Sequence, residues 1–245
     1  MLAIIRLVLV AIFIVFSALV GLLICLVRPF YVPNVALFSS WYGWAAWIFG
    51  LKVEVRQAPE VTAAMPCVFL ANHQNNYDLF TISKALLPGT VTIGKKSLKW
   101  IPFFGQLYWL SGNILIDRAN KSKAVGTMQG AVDRIVQDKV SVWVFPEGTR
   151  SYGRGLLPFK TGAFHIAQQA KVPLVPICMS STTKVSLNKW NNGRVIIEIL
   201  PPIQPEGTPA RELAETVRQQ MADKIKQLDS EVATDYTADS LTVTG

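Results

Sequence analysis

Val68-Phe69-Leu70-Ala71-Asn72-His73-Gln74-Asn75-Asn76-Tyr77-Asp78 passes from an unbroken apolar tetrapeptide into polar residues, and a second apolar stretch, Leu79 to Leu87, follows. An apolar run without polar interruption reads as a strand covered on both faces, as a parallel sheet requires. Asn75 and Asn76 are good N-cap residues and Asp78 lies where an anion is welcome, so a helix is expected over Leu79–Leu87. The same turn carries an imidazole and a carboxylate five residues apart. On one continuous helix His73 and Asp78 would face different ways, but with His73 on the incoming loop and Asp78 in the first helical turn they meet. A histidine held by a carboxylate is a general base ready to take a proton from a hydroxyl. The other histidine, His165, lies within Thr161 to Gln168, an ordinary helical pattern, and reads as structural.

Working outward, short apolar or β-branched runs recur at Lys52 to Arg56, Cys67 to Ala71, Val91 to Ile93, Asn113 to Asp117, Ser141 to Phe145, Leu174 to Met179 and Arg194 to Leu200. Helical patterns fall between several of them, at Leu79 to Leu87, Ala124 to Gln137 and Ala163 to Ala170, and at the end over Pro209 to Leu228. The expected fold class is α/β: a mixed, largely parallel central sheet of about seven strands covered by helices, occupying residues 52–228. The tail, 229–245, is polar and reads as loose. In such sheets functional groups collect on loops after the carboxyl ends of strands. His73, Arg118 and the turn Pro146-Glu147-Gly148-Thr149-Arg150-Ser151 all fall there.

Residues 1–51 have a different character and are expected to form membrane-anchoring helices. Leu7 to Val27 is an uncharged run of 21 residues between Arg6 and Arg28. As a helix it would measure about 31 Å, enough to cross a bilayer. No small-x-small cleavage site follows it, which favours retention over a removed signal peptide. The next apolar piece, 37–51, is too short to span comfortably and is crowded with tryptophan, so an interfacial or re-entrant helix is expected, with burial under the domain as the alternative.

No acidic residue precedes Glu54, and the whole chain carries a net charge of +8. Such a surface suits anionic lipid. Lys95, Lys96, Lys99, Arg118, Lys121, Lys123, Arg150, Arg154 and Lys160 are dispersed among apolar segments without a recognised nucleic-acid motif, so nucleic acid is not an expected partner. Cys25, Cys67 and Cys178 are far apart in apolar runs and offer neither a disulfide framework nor metal-ligand spacing; no metal site is expected. They suit a reducing compartment. The expected location is the inner (cytoplasmic) membrane with the domain on its cytoplasmic side, although Arg6 before the span and Arg28, Lys52 and Arg56 after it do not by themselves orient it.

Two further strand ends carry cations. Glu147-Gly148-Thr149-Arg150 supplies a guanidinium that could grip a phosphate at two points, beside a glycine that lets backbone approach closely. Gly112 to Arg118 delivers a second cation. Together the segments resemble the glycerolipid acyltransferases. His73 and Asp78 match the family's His-x4-Asp block, Gly112 to Arg118 its second, Phe145 to Ser151 its third and Val172 to Ile177 its fourth, in the family's order. Lys95-Lys96 and Ile101-Pro102-Phe103-Phe104-Gly105 also look familial. Asn75 stands where many relatives have Ser, and Leu115 where many have Phe.

The resemblance implies a membrane-bound enzyme that moves a fatty acyl group from acyl-coenzyme A or acyl-carrier protein to the sn-2 hydroxyl of lysophosphatidic acid. His73 would be the base, Asp78 its orienting partner, and Arg118 with Glu147, Gly148, Thr149 and Arg150 the acceptor-phosphate site. Gly148, nearby backbone N–H groups, Lys95 or Lys96 could stabilise the oxyanion. No serine or cysteine in the blocks pairs obviously with His73, so direct transfer is favoured over an acyl-enzyme. The thioester is a substrate, and no cofactor is expected. The alternatives are the same chemistry on glycerol 3-phosphate or another lysophospholipid, and a non-catalytic, membrane-anchored lipid-binding protein.

Overall fold

The computed structural model describes residues 1–117 and 121–242, with side chains at all of them except 121–125 and 235–242. Two helices open the chain, α1 (Leu2–Val27) and α2 (Pro33–Trp44), and a 3-10 turn, Ala45–Phe49, leads into β1 (Leu51–Gln57). Then follow β2 (Val68–Ala71), β3 (Thr90–Lys95), α3 (Phe104–Leu110), β4 (Ile114–Ile116), α4 (Lys121–Asp138), β5 (Ser141–Val144), α5 (Gly162–Ala170), β6 (Leu174–Met179), β7 (Gly193–Ile199) and α6 (Ala210–Thr242). The seven strands form one sheet in the order β1-β7-β6-β2-β5-β3-β4. Every neighbouring pair is parallel except β6 with β7. The sheet is thus mixed and largely parallel, as the apolar runs imply, and each expected strand lies where one is found.

Side-chain alternation along β2 separates two apolar layers. Val68 and Leu70 join the cluster under α4, α5 and α6, with Val142, Phe164 and Met221. Phe69 and Ala71 join the opposite one, with Trp143, Ile177, Tyr42, Phe49 and Phe80. The second layer is therefore built partly from the N-terminal segment. The 37–51 piece is divided by face: Phe38, Tyr42, Ala45, Ala46, Ile48 and Phe49 are buried, while Trp44 and Trp47 point outward. Burial under the domain and an exposed aromatic edge coexist in it.

Helix α1 meets the length and composition needed to cross a membrane, yet one stripe of it is fastened to the domain. Arg6, only 4% exposed, donates to the carbonyls of Ser186, Leu187 and Lys189 at 3.2, 3.1 and 2.7 Å and to that of Trp190 at 2.8 Å. Farther along, Ala18 and Cys25 form a buried cluster with Phe38 and Leu107. At Gly21 a Cβ would lie 2.5 Å from a methyl of Leu107, so a larger residue would require the Leu107 side chain to shift.

Three features differ from expectation. Leu79–Leu87 is not one helix but two 3-10 turns, Asn76–Leu79 and Ile82–Ala85. The Thr81 and Ser83 hydroxyls donate to the carbonyls of Tyr77 and Leu79, four residues back, and so compete with helical bonding. Helix α3 was hidden within the apolar run from Trp100 to Leu110. The tail is not loose from Asp229: α6 continues to Thr242. Leu228 is fully buried, Asp229 Oδ1 accepts the Ser181 N–H at 2.6 Å, and Glu231 pairs with Arg56 and Arg194.

Candidate active site

His73 stands two residues beyond the carboxyl end of β2. Its Nδ1 lies 2.6 Å from Asp78 Oδ2. The same oxygen accepts the Gln74 N–H at 2.7 Å, and Oδ1 accepts that of Asn75 at 3.2 Å. Asp78 is 4% exposed, and both of its oxygens serve as acceptors for backbone N–H groups. An accepting carboxylate requires Nδ1 to carry the hydrogen, which leaves the Nε2 lone pair free to act as a base. Asn75 caps the turn that presents Asp78, its side chain accepting the Tyr77 N–H at 2.8 Å. The spacing therefore works as expected even though a 3-10 turn, not an α-helix, supplies it.

Alternation continues past β2 and decides which face the base occupies. Asn72 and Gln74 turn toward β6: Asn72 exchanges hydrogen bonds with the backbone of Met179 at 3.0 and 2.8 Å, and Gln74 donates to the carbonyls of Met179 and Ser180 while accepting from Thr182. His73 turns the other way, toward the layer built from α1 and α2. Its ring stacks on Phe145 at 4.1 Å with an interplanar angle of 17°. Asn72, Gln74 and Phe145 had no assigned role in the sequence, although polar side chains on both sides of a histidine after an apolar strand are the visible trace of this anchoring. A cleft of about 260 Å³ lined by Gln74, Glu147, Ser151 and Asp229 opens beside the loop without the His73 ring among its walls.

The turn after β5 is tied directly to the histidine loop. The Ser151 N–H donates to the His73 carbonyl and the Tyr152 N–H to that of Gln74, both at 2.8 Å. Glu147 adds a third tie. One oxygen accepts the His73 N–H at 2.7 Å and the other the Leu157 N–H at 2.9 Å. Burial raises the Glu147 carboxyl above its ordinary range, and the two N–H groups oppose that shift. The carboxylate thus faces the interior. Gly148 has φ +71°, a conformation that side-chain-bearing residues rarely adopt, which favours glycine in the turn. Its N–H donates to the Phe145 carbonyl at 3.0 Å, which directs that expected oxyanion donor into the turn itself.

Thr149 is exposed and Arg150 half-buried. The Arg150 Nε is buried and has no hydrogen-bond partner, and its NH1 makes a long contact of 3.4 Å to the Tyr152 hydroxyl. A guanidinium one residue from Ser151, whose N–H holds the His73 carbonyl, and with an unsatisfied donor, is suited to an anionic ligand. Lys95 and Lys96 are exposed at the end of β3, Lys96 lying 3.7 Å from Asp117. Arg118 lies outside the described residues. Among the described residues no group of histidine, cysteine and carboxylate side chains could hold a metal ion.

Residues 52–180, which contain His73, Asp78 and the turn after β5, match the acyltransferase family model. The chain belongs to the acyltransferase family. It is 51% identical over 237 residues to the 1-acyl-sn-glycerol-3-phosphate acyltransferase of Escherichia coli K12, covering 95% of this chain and 97% of that one. The Haemophilus influenzae protein of the same name is 46% identical, covering 95% of this chain and 99% of its own. The Saccharomyces cerevisiae protein of that name is 41% identical over 74% of this chain and 62% of its own length. The fold is shared with the crystal structure of the 1-acyl-sn-glycerophosphate acyltransferase of Thermotoga maritima, at a TM-score of 0.72 and 22% identity, covering 93% and 94% of the two chains. As an acyltransferase, this chain carries its His-x4-Asp pair on the sheet face that its own N-terminal helices cover.

Proposed function

We propose that this acyltransferase moves a fatty acyl group from a thioester, acyl-coenzyme A or acyl-carrier protein, to the sn-2 hydroxyl of lysophosphatidic acid, giving phosphatidic acid. The names of relatives that align over nearly the whole chain support this acceptor. The observation that carries the chemistry is the His73 Nδ1–Asp78 Oδ2 bond of 2.6 Å, which leaves Nε2 as the base. Nε2 takes the hydroxyl proton as the acceptor oxygen bonds to the thioester carbonyl carbon. The tetrahedral intermediate collapses with cleavage of the carbon–sulfur bond, and the imidazolium returns its proton to the leaving thiolate. Asp78 stabilises the imidazolium between these steps. Cys25, Cys67 and Cys178 are all buried, and burial raises Cys67 to about 12 and Cys178 higher still. Neither thiol is a ready nucleophile, which supports direct transfer.

Arg150 is our candidate for the acceptor phosphate, with Arg118 assigned the same task by family resemblance. Lys95 and Lys96, exposed where β3 ends, are the remaining cations for the oxyanion or a phosphate. Glu147 acts on the site through the His73 backbone, as a positioning residue. The protein works at a membrane: α1 keeps Arg6 and its Gly21 stripe on the domain and turns Ile12, Phe16, Leu19 and Leu23 outward, which fits an apolar helix that meets lipid on its outer face and the domain on its inner one. Three unpaired cysteines suit the cytoplasmic face of the inner membrane.

The direct test is product separation after incubation of purified protein with lysophosphatidic acid and each labelled donor in turn. Phosphatidic acid should form with at least one donor, glycerol 3-phosphate should be a poor acceptor, and no acyl-protein should survive denaturation. Failure with both donors, or a stoichiometric acyl-enzyme, refutes the scheme.

Glu147→Gln separates positioning from substrate binding. An amide can accept from only one of the two N–H groups and turns a donor on the other. The loss should be about 2 kcal/mol in stability, or about 4–8 °C in Tm, with kcat lowered about tenfold and acceptor KM little changed. A rise in KM alone would place Glu147 in the acceptor site instead.

A further inference from the structure

All 16 acidic residues lie outside segments 1–53 and 79–116, while those two segments carry Arg6, Arg28, Lys52, Lys84, Lys95, Lys96 and Lys99. The segments pack on one another through α1, α2 and α3, with Leu107 seated among Ala18, Cys25 and Phe38. Two stretches of sequence that lack carboxylates thus meet through these helices. The outward residues of α1 there, Ile12, Phe16, Leu19, Leu23 and Leu26, follow helical spacing.

A second projection continues that surface. Between β3 and α3 the chain forms a 3-10 turn, Lys96–Trp100, and then an apex at Ile101-Pro102-Phe103. Trp100 is 73% exposed, and Ile101 and Phe103 are also exposed. The apex is firmly built. Ile101 N–H donates to the Leu98 carbonyl at 3.0 Å, Gly105 N–H to that of Ile101 at 2.8 Å, and Phe104 N–H to that of Pro102 at 2.8 Å. The last bond makes Phe103, at φ +65° and ψ −59°, the centre of a γ-turn that side-chain-bearing residues seldom adopt. Apolar side chains are therefore held out by a strained, hydrogen-bonded turn. Lys99 Nζ sits over the Trp100 ring at 4.6 Å, and near the end of α3 the exposed Trp109 packs edgewise on Phe30 at 5.3 Å, joining α3 to the segment that follows α1.

We propose that the Lys99–Phe103 apex is a second bilayer-inserting element, which enters the same leaflet as the outer face of α1 and fixes the tilt of the catalytic domain. This rests on the membrane reading of α1 given above. The occupant is phospholipid because the exposed side chains of the apex are an indole, an isoleucine and a phenyl ring with the Lys99 ammonium over the indole, the pairing of groups that acyl chains and headgroups accept together. An acidic carrier protein would instead call for cations foremost.

Single cysteines at Trp100→Cys, Phe16→Cys and Gln219→Cys, the last exposed on α6, can each carry a solvatochromic dye in the full chain. The parent, whose three cysteines are buried, gives the labelling background. In vesicles of phosphatidylcholine and phosphatidylglycerol, the dyes at positions 16 and 100 should shift to the blue and lose emission to lipids brominated on the acyl chain, while that at 219 should not. Lipid contact at 16 with an aqueous dye at 100 overturns the proposal and spares the reading of α1; aqueous dyes at both overturn the two together. Shielding at 100 only on addition of acyl-carrier protein makes the apex a protein-docking surface and also overturns the proposal. Trp100→Asp with Phe103→Asp should lower the rate on vesicle-borne acceptor roughly tenfold or more and leave that on a monomeric short-chain acceptor unchanged. Equal loss on both acceptors would count against a membrane role.

Discussion

His73→Ala should abolish measurable acyl transfer, with a loss of about 10²- to 10⁴-fold or more in kcat, since no other described side chain stands where Nε2 would take the hydroxyl proton. The fold should survive. Asp78 keeps its two backbone donors from Gln74 and Asn75, and the histidine loop keeps its ties to Ser151, Tyr152 and Glu147. Asp78→Asn should leave more activity, because the base remains, but should also lower stability, because a carboxylate that accepts from two N–H groups and an imidazole is replaced by an amide. Initial rates beside circular dichroism of each variant give the comparison. A folded His73→Ala protein within tenfold of the parent rate would exclude His73 as the base.

Arg150→Lys should lower kcat/KM for lysophosphatidic acid by about 10- to 100-fold, the equivalent of about 1.5–3 kcal/mol for a charge-assisted hydrogen bond. Lysine keeps the charge but not the planar pair of donors. The unsatisfied Nε of Arg150 is the group whose partner would be lost. Donor KM should hardly move, and a phosphate-free acceptor such as monoacylglycerol should suffer almost no further loss. If donor KM rises and both acceptors are hit equally, Arg150 serves the donor, and Arg118 becomes the candidate for the acceptor phosphate.

Much of this could be read before any coordinates. The strands of a parallel sheet are buried on both faces, so they stand out as apolar runs, and β2, β5 and β6 were plain for that reason. The meeting of His73 with Asp78 followed from a spacing that only a loop followed by a turn can close. Glu147 was harder, because a carboxylate that accepts two buried N–H groups looks, in sequence, like any turn acid beside an arginine. The broken helix at Leu79–Leu87 depended on Thr81 and Ser83 hydroxyls bonding back to the chain, which residue type permits but does not require. Nothing around Arg6 announced that its guanidinium would collect carbonyls from a loop about 180 residues later. Contacts that join distant segments through backbone atoms leave no residue-type signature.

The pairing of β1 has a consequence for the order of assembly. This edge strand follows directly on the N-terminal helices, yet among the described residues its neighbour in the sheet is β7, Leu51 lying against Gly193 and Gln57 against Ile199. During synthesis the apolar N-terminus emerges long before that neighbour exists, and so distant a pairing is slow to form. The sheet edge formed by β1 therefore stays open until β7, about 140 residues later, has been made. Once that pair is closed, Arg56 and Arg194 on its two strands are locked to Glu231 near the chain's end.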